Sequence, residues 1–406
     1  MMTDNAGEMQ ECNGAGRALV LGADGYLGWP LCLRLVARGY DVYGFDAGLR
    51  RRWVSEVGGR SATPIADYMQ REALLQQRTV RDGQRVEFMW GHVDNSEELR
   101  ACLEAARPDV IFHLAEQPSA AYSMRSAHTA VESQVRNIAG TMYLLWLMRE
   151  LCPDAHLVKL GTMGEWGTPG VDIPEGGFFD IEYRGRAARL PFPKQAGSFY
   201  HLSKVFDTEN IQAAARWGWG LTFTDVMQGP VYGIRTEEMP GGDCADKGLL
   251  TRLDYDECFG TVINRFVLQA LSGQGLTVYG QGGQTRGYLA LEDSIAAMLL
   301  LAEDPPDAGS CRIVNQFVDF WSVLDLAKAV CRAAVSMGII VEIKHLENPR
   351  REAEQHYYQA DREILPALGW EGTALPEGIA QFLQDARPFA DGIDPAVFAP
   401  TTRWQK

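Results

Sequence analysis

The chain has 406 residues, with 38 Lys and Arg against 53 Asp and Glu, for a formal charge of −15. That length supports a large core, and the acidic balance excludes a duplex nucleic-acid or anionic-membrane surface, which needs basic density. With 46% hydrophobic and 22% charged residues the composition is that of a globular protein, and no run approaches the roughly 20 apolar residues that span a bilayer.

The opening MMTDNAGEMQECNGAG is polar and acidic, unlike a signal or transit peptide, and reads as a tail over residues 1–16. Eight cysteines without a CxxC pair read as free thiols of a reducing compartment, so a cytoplasmic protein is expected. Order begins at Arg17-Ala-Leu-Val-Leu, a run of strand length. A glycine-rich turn follows, then Leu27, Leu31 and Leu35 at helical spacing, with Gly39 where a C-terminal cap belongs. Further strands are expected at Asp41 to Asp46, Val86 to Met89, Val110 to Leu114, His156 to Leu160 and Leu221 to Val226. Helices are expected between them at Ser96 to Ala106, Ala130 to Leu151 and Ser203 to Ala215. This alternation predicts an α/β fold, a Rossmann-type doubly wound parallel sheet. Beyond Val226 it weakens, and Gly and Pro cluster from Gly229 to Gly248. The expected organisation is a first domain over 17–226 and a smaller mixed domain over 227–406 that returns in part to the sheet.

Gly22, Gly25 and Gly28, with Tyr26 and Leu27 among them, form GxxGxxG between the first strand and the first helix. Glycines there let the backbone turn tightly and approach a pyrophosphate, whose charge the helix N-terminus stabilises. Asp46 ends the second strand, where an acid accepts hydrogen bonds from ribose hydroxyls and favours NAD over NADP. Arg50, Arg51 and Arg52 follow closely and carry the competing reading, a 2′-phosphate site.

Tyr200-His-Leu-Ser-Lys204 is YxxxK, and Thr162 ends a strand upstream. At i and i+4 on a helix, Tyr200 and Lys204 share a face. An ammonium beside a phenol favours phenolate, lowering a pKa that is ordinarily about 10. A phenolate can take the proton of a substrate hydroxyl while hydride leaves the same carbon.

Together the glycine motif, Asp46, Asn137, Thr162, Tyr200 and Lys204 resemble the extended short-chain dehydrogenase/reductase family, which acts mainly on nucleotide sugars. Within it the chain is similar to the UDP-sulfoquinovose synthase branch. GADGYLGW (22–29), EQPSAAYSM (116–124), LVKLGTMGEWGTP (157–169), PFPKQAGSFYHLSK (191–204), TVYGQGGQTRGYL (277–289) and NPRREAEQHYY (348–358) carry the likeness. It extends over nearly the whole chain from about residue 17. The resemblance implies NAD, a nucleotide-sugar substrate and a homodimer. It implies a reaction in which the sugar is oxidised at C4, loses water across C5 and C6, accepts sulfite at C6 and recovers the hydride. It further implies His92, Val93 and Leu114 on the cofactor with Asn137, Tyr200 and Lys204, and Met163 in the catalytic TMGE run. On the substrate it implies Gln117, Gln228, Asn264, Arg286 and Arg350, with Arg265 near the same pocket.

A ketone at C4 acidifies the neighbouring C–H, so elimination needs only modest proton carriers. Glu165 and His201 are the available ones, and spacing leaves their roles open. Three positions depart from the branch: Pro118 stands for an arginine, Met227 for an asparagine and His92 for an acid. Losing a cation and an amide weighs against sulfite, an anion. The expected function is therefore a dehydratase-type oxidation and elimination on a nucleotide sugar of secondary metabolism. A sulfite-adding synthase, a 4-epimerase and a catalytically silent NAD-binding regulator are the competing readings.

Overall fold

The structure is a computed structural model and describes residues 16–239, 247–348, 357–400 and 402. Nearly all of the expected tail and Arg350 lie outside the described residues. The first half builds β1 (Arg17–Leu21), α1 (Gly28–Ala37), β2 (Asp41–Asp46), α2 (Leu49–Glu56), α3 (Tyr68–Gln76) and β3 (Val86–Trp90). It continues with α4 (Ser96–Ala106), β4 (Val110–His113), α5 (Ala120–Ser123), α6 (Ala127–Leu151) and β5 (His156–Leu160). A 3-10 turn (Met163–Glu165) leads to the hairpin β6 (Phe178–Tyr183) and β7 (Arg186–Pro191), then α7 (Phe199–Arg216) and β8 (Thr222–Gln228). The second half adds β9 (Val231–Tyr232), α8 (Val262–Leu271), β10 (Leu276–Tyr279), β11 (Thr285–Ala290), α9 (Leu291–Glu303) and β12 (Cys311–Gln316). It ends with β13 (Asp319–Ser322), α10 (Val323–Ser336), β14 (Ile343–Leu346), α11 (Ile364–Ala367) and α12 (Leu375–Ala386).

Seven strands form one parallel sheet in the order β12-β8-β5-β4-β1-β2-β3. Central strands such as β1, with Ala18 to Leu21 fully buried, read as unbroken apolar runs because helices cover both faces of the sheet. Strand order reverses between β1 and β4, which opens a crevice at their carboxyl ends, the usual ligand position of such sheets. Gly22, Asp46, His92, Leu114, Thr162 and Gln228 all stand at or just beyond strand ends on that edge.

Two helices begin earlier than periodicity indicates, because their caps do. Ser126 forms a capping box with Thr129 and starts α6 at Ala127. Ser198 accepts from the His201 amide and starts α7 at Phe199, so Tyr200 sits in the first helical turn. In the second half, a core of Ile263, Phe266, Leu326, Val330, Ile379 and Phe382 joins α8, α10 and α12 beneath the small sheets β13-β11-β9 and β10-β14. Among the described residues no helix is long and apolar enough to cross a membrane, and no His, Cys, Asp and Glu group is set to hold a metal.

Candidate active site

A cleft of about 370 Å³ follows the carboxyl edge of the sheet, with the glycine turn, Asp46 and His92 among its lining residues. Gly22 has φ +91°, and a Cβ there would lie 2.9 Å from the Ala115 amide nitrogen. A Cβ on Gly28 would lie 2.0 Å from the Gly22 carbonyl oxygen. Only glycine permits this turn, which presents the start of α1 to the cleft where a pyrophosphate would lie. Asp46 accepts from the amides of Asp24 at 2.9 Å and Gly48 at 2.6 Å. Burial and the neighbouring Asp24 charge push its carboxyl up to about 6. Arg51 gives both arms of its fork to Asp24 at 2.7 Å, Arg50 is bound to Asp254 at 2.8 Å, and Arg52 pairs with Glu56 and Glu132. With every guanidinium of the run committed to a carboxylate, the 2′-phosphate reading loses its basis. Arg51 acts through Asp24 and does not line the cleft, which corrects its expected cofactor contact. Arg50, His92, Val93 and Leu114 do line it.

The cleft extends from this dinucleotide end to Thr162 and Tyr200. Thr162 caps the turn after β5, its Oγ1 accepting from the Gly164 amide at 3.1 Å. Lys204 does not meet the Tyr200 hydroxyl; its ammonium donates to the Glu116 carboxylate and the Leu160 carbonyl. Burial, with the charges of Glu116, Glu165 and Asp207, raises the Tyr200 phenol well above its ordinary range. In this arrangement the Lys204 ammonium is taken up by Glu116 and the Leu160 carbonyl and is not set against a Tyr200 phenolate. Glu165 is also corrected: its side chain is fully buried away from the cleft, accepting from Thr208 at 3.0 Å and facing Lys194 at 3.3 Å. Met163 is buried in an apolar cluster and offers only its carbonyl, which accepts from the Tyr358 hydroxyl at 2.8 Å. His201 is half-buried, its ring 5.1 Å from that of Tyr200 and its Nδ1 3.1 Å from Ser198 Oγ. Asn137 lies behind the wall, where it accepts from the Gln117 amide at 2.8 Å and donates to Ser203 Oγ at 2.9 Å. It braces the Glu116–Gln117 turn and does not itself line the cleft. Spacing missed Glu116. Its only trace was an acid directly after an apolar strand.

Residues 18–316 match the family model described as NAD dependent epimerase/dehydratase family. The chain belongs to that family. It is 42% identical to a UDP-sulfoquinovose synthase of Sulfolobus acidocaldarius over 96% of this chain and 98% of that protein. It is likewise 42% identical to the chloroplastic UDP-sulfoquinovose synthase of Spinacia oleracea, over 97% of this chain and 80% of that one. The fold matches UDP-glucose 4-epimerase of Thermotoga maritima with UDP-glucose, at a TM-score of 0.65 and 20% identity over 92% of this chain and 99% of that one. It also matches a point variant of UDP-glucuronic acid 4-epimerase from Bacillus cereus, at a TM-score of 0.67 and 17% identity over 92% of this chain and 99% of that one. That structure holds NAD and UDP-4-deoxy-4-fluoro-glucuronic acid. NAD is the cofactor of this family member, and the glycine turn and Asp46 have the shape and acceptors it requires.

As the expected ribose acceptor, Asp46 should give NAD binding a pH dependence. With the ribose hydroxyls on Asp46, the ionised carboxylate accepts them more strongly than the neutral acid, so protonation below about 6 would weaken binding. NAD affinity should be flat above pH 7 and fall below 6, by at most about tenfold per unit. Calorimetric titration from pH 5 to 8 checks this; a flat profile through that range would remove Asp46 from the ribose site.

On the substrate side of this family member, Gln228 lines the cleft while its Nε2 donates to Ser294 Oγ and Gln316 Oε1, both at 2.7 Å. Gln117 also lines it, and its buried Nε2 has no partner among the described residues. An unmet buried donor costs about 1–3 kcal/mol, which a bound polar ligand relieves. Asn264 does not line the cleft: it accepts from the Gly233 amide at 3.2 Å and tethers the loop after β9. Arg265 lies against Tyr279 at 4.8 Å, away from the cleft. Arg286 lies 5.6 Å over the Tyr358 ring and is likewise outside the cleft lining. Pro118 lines the cleft as a departure from the branch, whereas Met227 is fully buried beside Met163 and Trp166. The change at 227 is thus one of packing and not of substrate contact. The segment from Glu257 to Thr261 closes the opposite wall, a feature that no spacing pattern indicated.

Proposed function

We propose that the protein oxidises a hydroxyl of a nucleotide sugar to a ketone, eliminates water at the adjacent carbons and returns the hydride within one cycle. The observation that carries this is one continuous cleft with a dinucleotide turn and Asp46 at one end and Thr162 and Tyr200 at the other. Bound NAD supplies the hydride acceptor and later the donor. Tyr200 takes the hydroxyl proton as the carbon is oxidised, and Thr162 orients the same oxygen. Of the two proton carriers offered for the elimination, Glu165 is sealed behind the wall, and His201, outside the cleft lining with its ring 5.1 Å from that of Tyr200, would act from beside that phenol.

Sulfite is not expected to be an efficient co-substrate. Pro118 brings no charge to the wall, and the cleft-lining Arg50 and Arg136 are held by Asp254 and by Asp94 and Glu132. A buried anion without a matching cation carries a desolvation cost of several kcal/mol. The second reading, a sulfite-adding synthase, is favoured by the two relatives at 42% identity. Arg125, 3.8 Å from the sulfur of the cleft-lining Cys258, is the cation that would serve it. Mass spectrometry of products from UDP-, GDP- and TDP-sugars, with and without sulfite, separates the two. A sulfonate-bearing product formed efficiently from UDP-glucose overturns the first reading in favour of the second.

The working form we infer is a homodimer joined through α6 and α7. Val131, Val135, Tyr143 and Trp146 of α6 and Phe199 and Phe206 of α7 are each more than 40% exposed. Apolar side chains gathered on two adjacent helices suit a self-complementary contact. Sedimentation equilibrium tests it, and a monomer at micromolar concentration would contradict it. The free thiols of the six described cysteines support a reducing, cytoplasmic setting.

A further inference from the structure

We propose that Glu116 is a positioning residue of the oxidising centre: its carboxylate draws the Lys204 ammonium off Tyr200 and so governs when the phenol can take a proton. The inference rests on the reading of Tyr200 as the proton acceptor and adds the device that controls it. Glu116 lies just beyond β4 on the cleft wall, yet its side chain is only 3% exposed, and that of Lys204 only 2%. Separating two desolvated opposite charges leaves each uncompensated, which holds them together, and the Leu160 carbonyl fixes the ammonium from a second side.

The groups around Glu116 explain why this contact matters. β4 brings His113 and β5 brings Lys159; the turn after β5 brings Glu165, and α7 brings Tyr200, Lys204 and Asp207. Behind them Asp225 and Lys194 complete a buried network among the described residues, with Lys159 3.3 Å from Asp225 and Lys194 3.3 Å from Glu165. Four carboxylates face three ammonium groups, so the fully ionised wall is net negative. Burial holds Glu116 and Asp207 above the ordinary carboxylate range, as that excess requires. A phenolate at Tyr200 would add to the same negative field. Removing the charge at 116 both lowers that field and frees Lys204 to turn towards the hydroxyl.

The test is an ultraviolet titration of the NAD-loaded enzyme at the tyrosinate band, with the Tyr200→Phe spectrum subtracted to isolate one phenol. Glu116→Gln should bring the Tyr200 signal to lower pH by about one unit or more, the usual effect of one nearby charge. Glu116→Asp keeps the charge on a tether shorter by one methylene and should move the signal less than half as far. The acidic limb of the kcat profile should follow the same order, whereas a merely structural role would change stability and leave the phenol unmoved. A folded Glu116→Gln enzyme with unshifted Tyr200 overturns the proposal. Glu116→Ala, which also removes the charge, is read in the same way if the Gln variant does not fold. A shift in Glu116→Asp as large as in the neutral variant overturns it too. The titration needs no substrate, so it remains informative if the nucleotide-sugar reading fails, and that failure would show separately as Tyr200→Phe retaining turnover.

Discussion

Tyr200→Phe is expected to lower turnover by about 10²–10⁴-fold, the contribution usual for a general acid–base group. The hydroxyl is the only atom removed, and it faces the cleft from the first turn of α7, where Ser198 fixes the helix start. NAD binding should stay within about twofold, because the glycine turn and Asp46 lie on β1 and β2 and share no hydrogen bond with Tyr200. The measurement is kcat and KM on the best sugar nucleotide from the panel, beside calorimetry for NAD. Near-normal kcat would exclude this phenol from the chemistry, whereas no turnover of any sugar nucleotide by the unsubstituted enzyme would favour the silent-regulator reading.

The second large effect is on stability. Lys159 is fully buried at the centre of the charge network, 3.3 Å from Asp225 and from Thr208 Oγ1 and 3.8 Å from Glu165. Burial pushes its ammonium down, and Asp225 and Glu165 more than offset that, so its pKa lies above the lysine range. A raised lysine pKa means stability that is fully present below the unfolded value and lost only as pH rises through the folded one. Between pH 6 and 9 the contribution is therefore constant. Lys159→Met should destabilise by about 3–5 kcal/mol in denaturant unfolding, because it leaves buried Asp225 without an ammonium partner and takes from Glu165 one of its two, Lys194 being the other. Adding Asp225→Asn should recover part of that loss, the mark of a paired charge and not of lost packing. A loss under about 1 kcal/mol would show that the network relaxes or hydrates.

The elements were legible because their apolar periods are unambiguous. The runs at β1, β2, β4 and β5 are buried on both faces, and Gly22, Gly25 and Gly28 mark a turn whose backbone contacts forbid a side chain at Gly22 and Gly28. The start of α7 was read too late because a helix begins where its cap sits, and Ser198 lies upstream of the apolar repeat. Met227 shows the converse. A substitution seen beside a functional motif says nothing about which side of the strand it faces, and the sheet turns this one into the core.

From sequence alone came the α/β sheet, the dinucleotide turn, the acid at the end of β2 and the Thr162, Tyr200 and Lys204 set, since each depends on local backbone geometry or spacing on one element. Tertiary structure decided what those side chains face. Arg51 meets Asp24, Lys204 meets Glu116, and Glu165 meets Lys194 across separations of 27, 88 and 29 residues, distances at which spacing carries no directional information. Buried charges take the nearest opposite charge, because the alternative costs several kcal/mol of desolvation. Which carboxylate is nearest is set by how β4, β5 and α7 pack, and so the state of the Tyr200 phenol was written in the fold and not in YxxxK.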